Sequence, residues 1–381
     1  MTPKVVLLRG TAANQWELRP WERLHADGGA LVRVVVPPDN LYDTSALRLP
    51  RVGVRTTGAL VPPGLPGRLM LKAVGQRHLR LADALEGADI VHAAELGYWF
   101  SQQAARLKPR LGFRLVLTVW ETLPFVDAYR NVRTRRYRRD VLEATDLFLA
   151  TTERAAEALR LEGAPSERVQ VCYPGIDEER FAGSAAPDAP EGPHLLLSIG
   201  RLVWEKGHQD LLRAVAALRR GAVPDVDAGT PLPRVLIVGA GREERRLRRY
   251  AAELGVDDLL DLRAELPYAE MPQLYARASC LVLASLPSLY WEEQFGMVLA
   301  EAAAARLPVI AAASGAIPEV LHGQAPTFAP GDWVELARLL ASGPLSRPPG
   351  ERSDHVAELT DAYAGRAYAD RLATAYQRIL P

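Results

Sequence analysis

The chain has 381 residues, with Lys plus Arg and Asp plus Glu both totalling 46, so its formal net charge is zero. Hydrophobic residues make up 48% and charged residues 24%, an ordinary globular composition that excludes disorder, collagen-like repeats and disulfide-stapled mini-proteins and leaves room for two or three domains. The charge balance argues against a dedicated nucleic-acid binder, and a mere two cysteines, Cys172 and Cys280, each in an apolar stretch, argue against a disulfide framework and for a reducing compartment.

The apolar run Val5–Leu8 is ended by Arg9 and Gly10, too soon for a signal-peptide core. No uncharged apolar stretch approaches the ~20 residues that span a bilayer, so the expected location is cytoplasmic. Strands are predicted at Val5–Leu8, Leu31–Val36, Asp89–His92, Leu115–Val119, Leu147–Ala150 and Val169–Cys172, with helices over Arg68–Leu85 and Arg133–Glu143 between them. Ala182–His194 carries three prolines and two glycines and reads as a linker. The alternation then resumes, with strands at Leu195–Ile199, Val235–Val238, Leu259–Leu262, Leu281–Leu283 and Val309–Ala311. Helices follow at Gln209–Arg219, Glu243–Leu254, Met271–Ala278, Met297–Ala304 and Val334–Leu340, and a last one at Asp354–Ile379. This βαβ rhythm predicts two doubly wound α/β domains, Rossmann-like and facing a cleft. The expected boundaries are 1–183, a linker over 184–194, a second domain over 195–352, and a terminal helix over 353–381 that crosses back to the first domain.

Ligands of such sheets bind outside the carboxyl ends of the strands, and two strand-end segments there carry chemistry. Ser285–Glu301 follows a predicted strand and opens a helix near Phe295–Gly296. Free N–H groups at that helix start attract an anion such as a diphosphate. Glu293 in the loop and Glu301 in the second helical turn are then placed to accept from sugar and ribose hydroxyls, or else are a cap and a surface glutamate. Gly200–Gly207 puts Arg201 and Lys206 after the strand Leu195–Ile199, where two cations neutralise a leaving diphosphate. The alternative there is a solvated loop with Arg201 paired to Glu205. Lysine is scarce, with Lys4, Lys72, Lys108 and Lys206 the only four, which weighs against incidental decoration.

Together these segments resemble the retaining, family-four glycosyltransferases of the GT-B fold. Glu293 and Glu301, separated by seven residues, match that family's pair of glutamates, and Gly200-Arg201-Leu202 with Lys206-Gly207 matches its cationic loop. Ser314–Val320, Pro174–Asp177 with Phe181, and Val238–Gly241 resemble further junctions of the family. The resemblance implies sugar transfer from a nucleotide sugar to a glycan, lipid-linked sugar or small-molecule hydroxyl, by front-face attack, with no cofactor and no catalytic metal. It implies that Arg201 and Lys206 hold the diphosphate, Glu301 the ribose and Glu293 the transferred sugar. Gln294, Phe295, Gly296, Met297 and Val298 would touch sugar or phosphate. The loop residues Gly239–Arg242 (Gly239 and Gly241 foremost) and Arg263–Leu266 (Arg263, Glu265 and Leu266) would flank the base. A nucleotide-sugar 2-epimerase of the same fold and a non-catalytic sugar-nucleotide or glycan binder are the alternatives.

The amino-terminal third departs from that pattern. Where many members have a glycine-rich loop, Arg9–Asn14 contains one glycine, and where many have a histidine the sequence reads Thr118-Val119-Trp120-Glu121. An indole N–H donates but cannot accept a proton, so Glu121 or His92 is expected to take over that role. Asn14, Trp16, Glu17 and Arg19 after the first strand, with His92, Glu95, Trp120 and Glu121, are the acceptor-side candidates. For Trp16 and Trp21 the choice lies between stacking on a sugar and packing inward. Six arginines between Arg130 and Arg139 suit either peripheral contact with an anionic membrane, which would place the protein on the inner face of the plasma membrane, or a solvated helix face.

Overall fold

The computed structural model describes residues 2–62, 64–126, 132–182, 192–227 and 229–380. It divides into two compact units, Met1–Ile176 with Gly365–Pro381, and Asp177–Ala364. In the first unit the chain runs β1 (Lys4–Leu8), α1 (Gln15–Ala26), β2 (Leu31–Val36), β3 (Arg51–Gly53), α2 (Leu65–Val74), α3 (Leu81–Leu85), β4 (Ile90–Ala94), α4 (Trp99–Leu111), β5 (Arg114–Val119), α5 (Val132–Ala144), β6 (Leu147–Ala150), α6 (Glu153–Leu161) and β7 (Val169–Val171). The strands form one sheet in the order β3-β2-β1-β4-β5-β6-β7, every pair parallel.

The second unit runs α7 (Glu178–Ala182), β8 (Leu195–Ile199), α8 (His208–Arg219), β9 (Arg234–Val238), α9 (Glu244–Leu254), β10 (Leu260–Arg263), α10 (Met271–Arg277), β11 (Cys280–Leu283), α11 (Met297–Ala304), β12 (Val309–Ala312), α12 (Ile317–Leu321), β13 (Thr327–Phe328), α13 (Trp333–Ser342), α14 (Asp354–Ala357) and α15 (Leu359–Tyr363). Its parallel sheet has the order β10-β9-β8-β11-β12-β13. The last helix, α16 (Gly365–Ile379), belongs to the first unit.

Val5, Val6, Leu7 and Leu8 are all fully buried, as a parallel strand covered by helices on both faces requires. Alternate side chains go to opposite faces. Val5 and Leu7 pack with Leu18, Trp21, Leu372 and Tyr376 of α1 and α16, while Val6 and Leu8 pack with Phe100, Ala104 and Val141 of α4 and α5.

Several expected boundaries are corrected. The helix over Arg68–Leu85 is two, because Gly75 at φ 83 ends α2. The helix over Asp354–Ile379 is three, and α14 and α15 belong to the second unit. There the Tyr363 hydroxyl donates to the Val320 carbonyl at 2.7 Å and its ring stands edge-on to Phe295. The first unit ends at Ile176 rather than 183, since fully buried Phe181 packs edge-on against Tyr268 and Tyr275. Most of the expected linker lies outside the described residues. Strands β3 and β13 escaped the sequence reading, being three and two residues long with no apolar run.

A buried polar relay ties α16 to its sheet. The Trp21 indole N–H donates to the Tyr376 hydroxyl at 2.8 Å, which shares a 2.6 Å hydrogen bond with His92 Nδ1, and His92 Nε2 shares one of 2.7 Å with the Thr118 hydroxyl. Tyr376→Phe strands two buried polar groups, so it should lower unfolding stability by about 1–3 kcal/mol, read as a lower denaturant midpoint.

Candidate functional site

The loops at the carboxyl edge of the second sheet are pressed together by backbone contact. Gly207 has φ +68, and a Cβ there would overlap the Ala284 carbonyl oxygen; Gly315, at φ +57, abuts the Glu293 backbone in the same way. Only glycine allows both the left-handed angle and the close approach. The Ala316 N–H then donates to the Glu293 carbonyl at 2.9 Å, fixing the loop that carries Glu293.

Within this frame Lys206 Nζ donates to Glu293 Oε2 at 2.7 Å, and the Ser285 hydroxyl donates to the same oxygen at 2.6 Å. The ammonium also lies 4.9 Å from the Trp291 ring centroid. The two charged side chains are only 15% and 8% exposed, a burial tolerable for ions only because they are paired. Arg201 stands exposed beside them and, among the described residues, makes no ion pair. The expected alternative partner, Glu205, faces Arg242 instead. His208, buried and pushed down to about 4 by desolvation, is neutral and holds the Arg201 carbonyl through Nε2 at 3.3 Å.

Gly296 caps α11 with no side-chain hydrogen bond, so the first amides of that helix, at Met297 and Val298, have no capping side chain. Phe295 is buried as an anchor and Gln294 is half-buried. One turn on, Glu301 is 6% exposed. Its carboxylate accepts from Tyr268 at 2.9 Å and Tyr275 at 2.6 Å. Burial pushes Glu301 up to about 7, against the pull of the two tyrosine hydroxyls. Gly239 and Gly241 lie on the loop that pairs with Gly200–Leu202, through Gly200 N to Val238 O at 3.0 Å and Leu202 N to Ala240 O at 2.9 Å. Arg263 pairs with Asp261, and Glu265 and Leu266 lie on the loop beyond.

The acceptor-side candidates are placed differently. His92 is fully buried with both ring nitrogens engaged, and desolvation drives its pKa well down, so it is a neutral structural group and does not offer an exposed imidazole. Trp21 is buried in the same relay. Asn14 caps α1 by accepting from Trp16 N, and the Arg19 guanidinium stacks over the Trp16 ring at 4.7 Å. Glu17 pairs at 2.7 Å with Arg9, a buried arginine that the sequence reading passed over. Glu95, in the left-handed region at φ 59, accepts from Trp120 N at 2.8 Å. Glu121 accepts from Thr122 and Leu123 N–H groups. Both glutamates therefore shape the strand-end loops. Of the arginine run, Arg130 lies outside the described residues, and Arg138 turns inward to a buried ion pair with Glu162, which removes it from any lipid-facing surface.

Ser285, Trp291, Tyr268, Tyr275 and His208 went unassigned in the sequence. Ser285 and Trp291 lie inside the singled-out segment, whereas the tyrosines reach Glu301 from a different strand crossing and leave no local signal. Among the described residues, no group of three or more His, Cys, Asp or Glu is placed to hold a metal ion, and no helix is long and apolar enough to cross a membrane.

Family models agree with this layout. One described as glycosyl transferases group 1 matches residues 180–343, and one described as glycosyltransferase family 4 matches residues 22–180. A D-inositol 3-phosphate glycosyltransferase of Mycolicibacterium vanbaalenii is 32% identical over 321 residues, covering 75% of this chain and 68% of that protein. The chain belongs to the group 1, family 4 glycosyltransferases. A D-inositol 3-phosphate glycosyltransferase of Streptomyces bingchenggensis is 36% identical over 241 residues, covering 57% of this chain and 50% of that one. Overall the chain spans about half to two thirds of the length of the first such relatives. Among solved structures, Anabaena HepE in complex with UDP and glucose is 18% identical with a TM-score of 0.72, covering 99% of this chain and 100% of that one. Sucrose-phosphate synthase of Thermosynechococcus elongatus is 19% identical with a TM-score of 0.72, covering 99% and 98%. These likenesses assign the two-domain GT-B fold.

Glu301 gives a pH signature. An unfolded glutamate titrates near 4.5 and this one near 7, so the fold holds its proton more tightly than the unfolded chain. Stability is therefore lost as pH rises from 4.5 through about 7 and stays low above. Glu301→Gln removes that loss: it should be more stable than the parent at pH 8 by on the order of 3 kcal/mol, the difference vanishing toward pH 4.5 in paired denaturant titrations.

Proposed function

We propose that this chain moves a sugar from a nucleoside diphosphate sugar to an acceptor hydroxyl with retention of anomeric configuration, the second unit holding the donor and the first recognising the acceptor. The observation that carries the reading is the convergence of Lys206, Arg201 and the uncapped start of α11 around two buried carboxylates. The cations and helix amides neutralise the diphosphate as it leaves, a task they perform without a metal ion. Two tyrosine bonds leave about half of Glu301's lone pairs open, enough for two ribose hydroxyls.

In the front-face step the bond from C1 to the donor phosphate oxygen breaks while the acceptor oxygen bonds C1 on the same side. The acceptor proton passes to the departing phosphate oxygen. Glu293, held by Lys206 and Ser285, faces the positive charge that develops on the sugar, and Lys206 keeps further N–H donors for the phosphate. The curated relatives are named for inositol 3-phosphate, so a cyclitol phosphate is the first acceptor class to test, ahead of glycan ends and lipid-linked sugars.

A thermal-shift screen with UDP, GDP, ADP and TDP tests the donor half. One base series should stabilise the protein, by about 2.7 kcal/mol at 100 times its dissociation constant, and Arg201→Ala should abolish the shift; no response to any of them removes the donor site. Lys206→Ala should lower turnover on the order of 10²–10³-fold, and unchanged turnover at saturating donor would take Lys206 out of the mechanism. Conversion of donor to its C2 epimer with no acceptor present would replace transfer by epimerisation.

A further inference from the structure

Between the loop that carries Lys206 and the start of α9, the second unit holds a basic cavity of about 790 Å³, walled by Trp204, Arg242, Glu243, Arg245, Arg246 and Arg249. Four guanidinium groups face one carboxylate, so the wall is net positive. On α9, Arg245 and Arg246 stand four and three residues before Arg249 and so share one face with it, and Arg242 lies just before the helix. Arg242, Arg246 and Arg249 are each more than 70% exposed. Arg246 pairs with Glu243 at 3.1 Å, Arg249 with Glu253 at 3.5 Å, and Arg242 only approaches Glu205 and Glu243 at 3.9 Å. Arg245 is exposed with no ion pair among the described residues. The indole of Trp204, 52% exposed, forms the apolar side, and its backbone is held by the Gln209 amide donating to the Trp204 carbonyl at 3.2 Å.

We infer that this cavity, which adjoins the donor loops, is a second anion site centred on Arg245, Arg246 and Arg249 of α9 that takes a phosphate ester. Guanidinium groups match phosphate oxygens in a planar fork, weakly engaged surface pairs give way at little cost, and an exposed indole at the rim suits the apolar part of an ester. A soluble ester and a lipid headgroup present the same chemistry. Trp204 sits in the short turn Trp204–Lys206, so occupancy of the cavity is transmitted to the loop that carries Lys206.

The test measures binding alone and so stands whether or not transfer is ever observed. Glycerol 3-phosphate is titrated by calorimetry, and vesicles of phosphatidylcholine with about 30 mol% phosphatidylglycerol are compared with pure phosphatidylcholine by sedimentation. Binding to the first alone assigns a soluble ester, and to the anionic vesicles a lipid headgroup. In either case Arg245→Glu/Arg249→Glu should weaken it at least about tenfold and Trp204→Ala should also weaken it. Arg245→Lys/Arg249→Lys, which keeps the charge, should recover part of it. Arg135→Glu/Arg139→Glu on α5 should leave it unchanged, and the nucleotide-induced thermal shift should survive in the α9 double variant. The inference is overturned if neither probe binds, if the α9 changes have no effect, if the α5 changes abolish binding, or if the α9 double variant loses its response to nucleotide as well.

Discussion

Lys206 cannot sit where it does without Glu293. An ammonium that is 15% exposed has given up most of its hydration, and a carboxylate at 2.7 Å with a hydroxyl on the same oxygen compensates it. The pair constrains its surroundings, because the two residues come from loops after different strands, β8 and β11. Those loops meet only if their backbones approach to contact distance. Gly207 against Ala284 and Gly315 against Glu293 are the places where that happens, and a side chain at either position would separate the charges before any ligand arrived. The parallel sheet thus supplies the edge, the glycines bring the loops together, and the ion pair holds the result.

The two glutamates of the matched motif illustrate how environment divides one chemistry into two roles. Glu293 faces a cation. Glu301, eight positions later on α11, faces two phenols in a buried pocket and titrates near neutrality. Tyr268 and Tyr275 satisfy a carboxylate in either protonation state, since each hydroxyl donates to an ionised oxygen and tolerates a protonated one. Phe181, placed before β8, seals those rings from the side, which is why the short helix α7 packs as part of the second unit.

In the first unit, polar side chains at the strand ends are spent on architecture. His92, Thr118, Trp21 and Tyr376 form one buried chain of hydrogen bonds, and Arg9 donates to the His92 carbonyl at 2.9 Å while pairing with Glu17. Buried polar groups must be satisfied, so this network specifies where α16 docks. Glu95 and Glu121 fix the backbone around Trp120. Trp120 therefore stands in a turn whose shape is set by its neighbours.

The positions of most strands, the helix Met297–Ala304 and the cationic and acidic loops were legible in the chain itself, because buried strands are short apolar runs and the charged pattern is local, with Arg201 and Lys206 in one loop and Glu293 and Glu301 eight apart. Those features depend on residues near one another in sequence, and their periodicity survives without a fold. What only the tertiary structure decided is which charge meets which: Lys206 with Glu293 across 87 residues, Glu301 with Tyr268 and Tyr275, and His92 with Tyr376 across 284. The break of the last predicted helix into three belongs to the same class, since Tyr363 stays with Val320 while Tyr376 goes to His92. Each pairing joins groups that carry no mark of one another along the chain. Burial forces every polar group to find a partner, and only the packed sheet and helices decide which one is within reach.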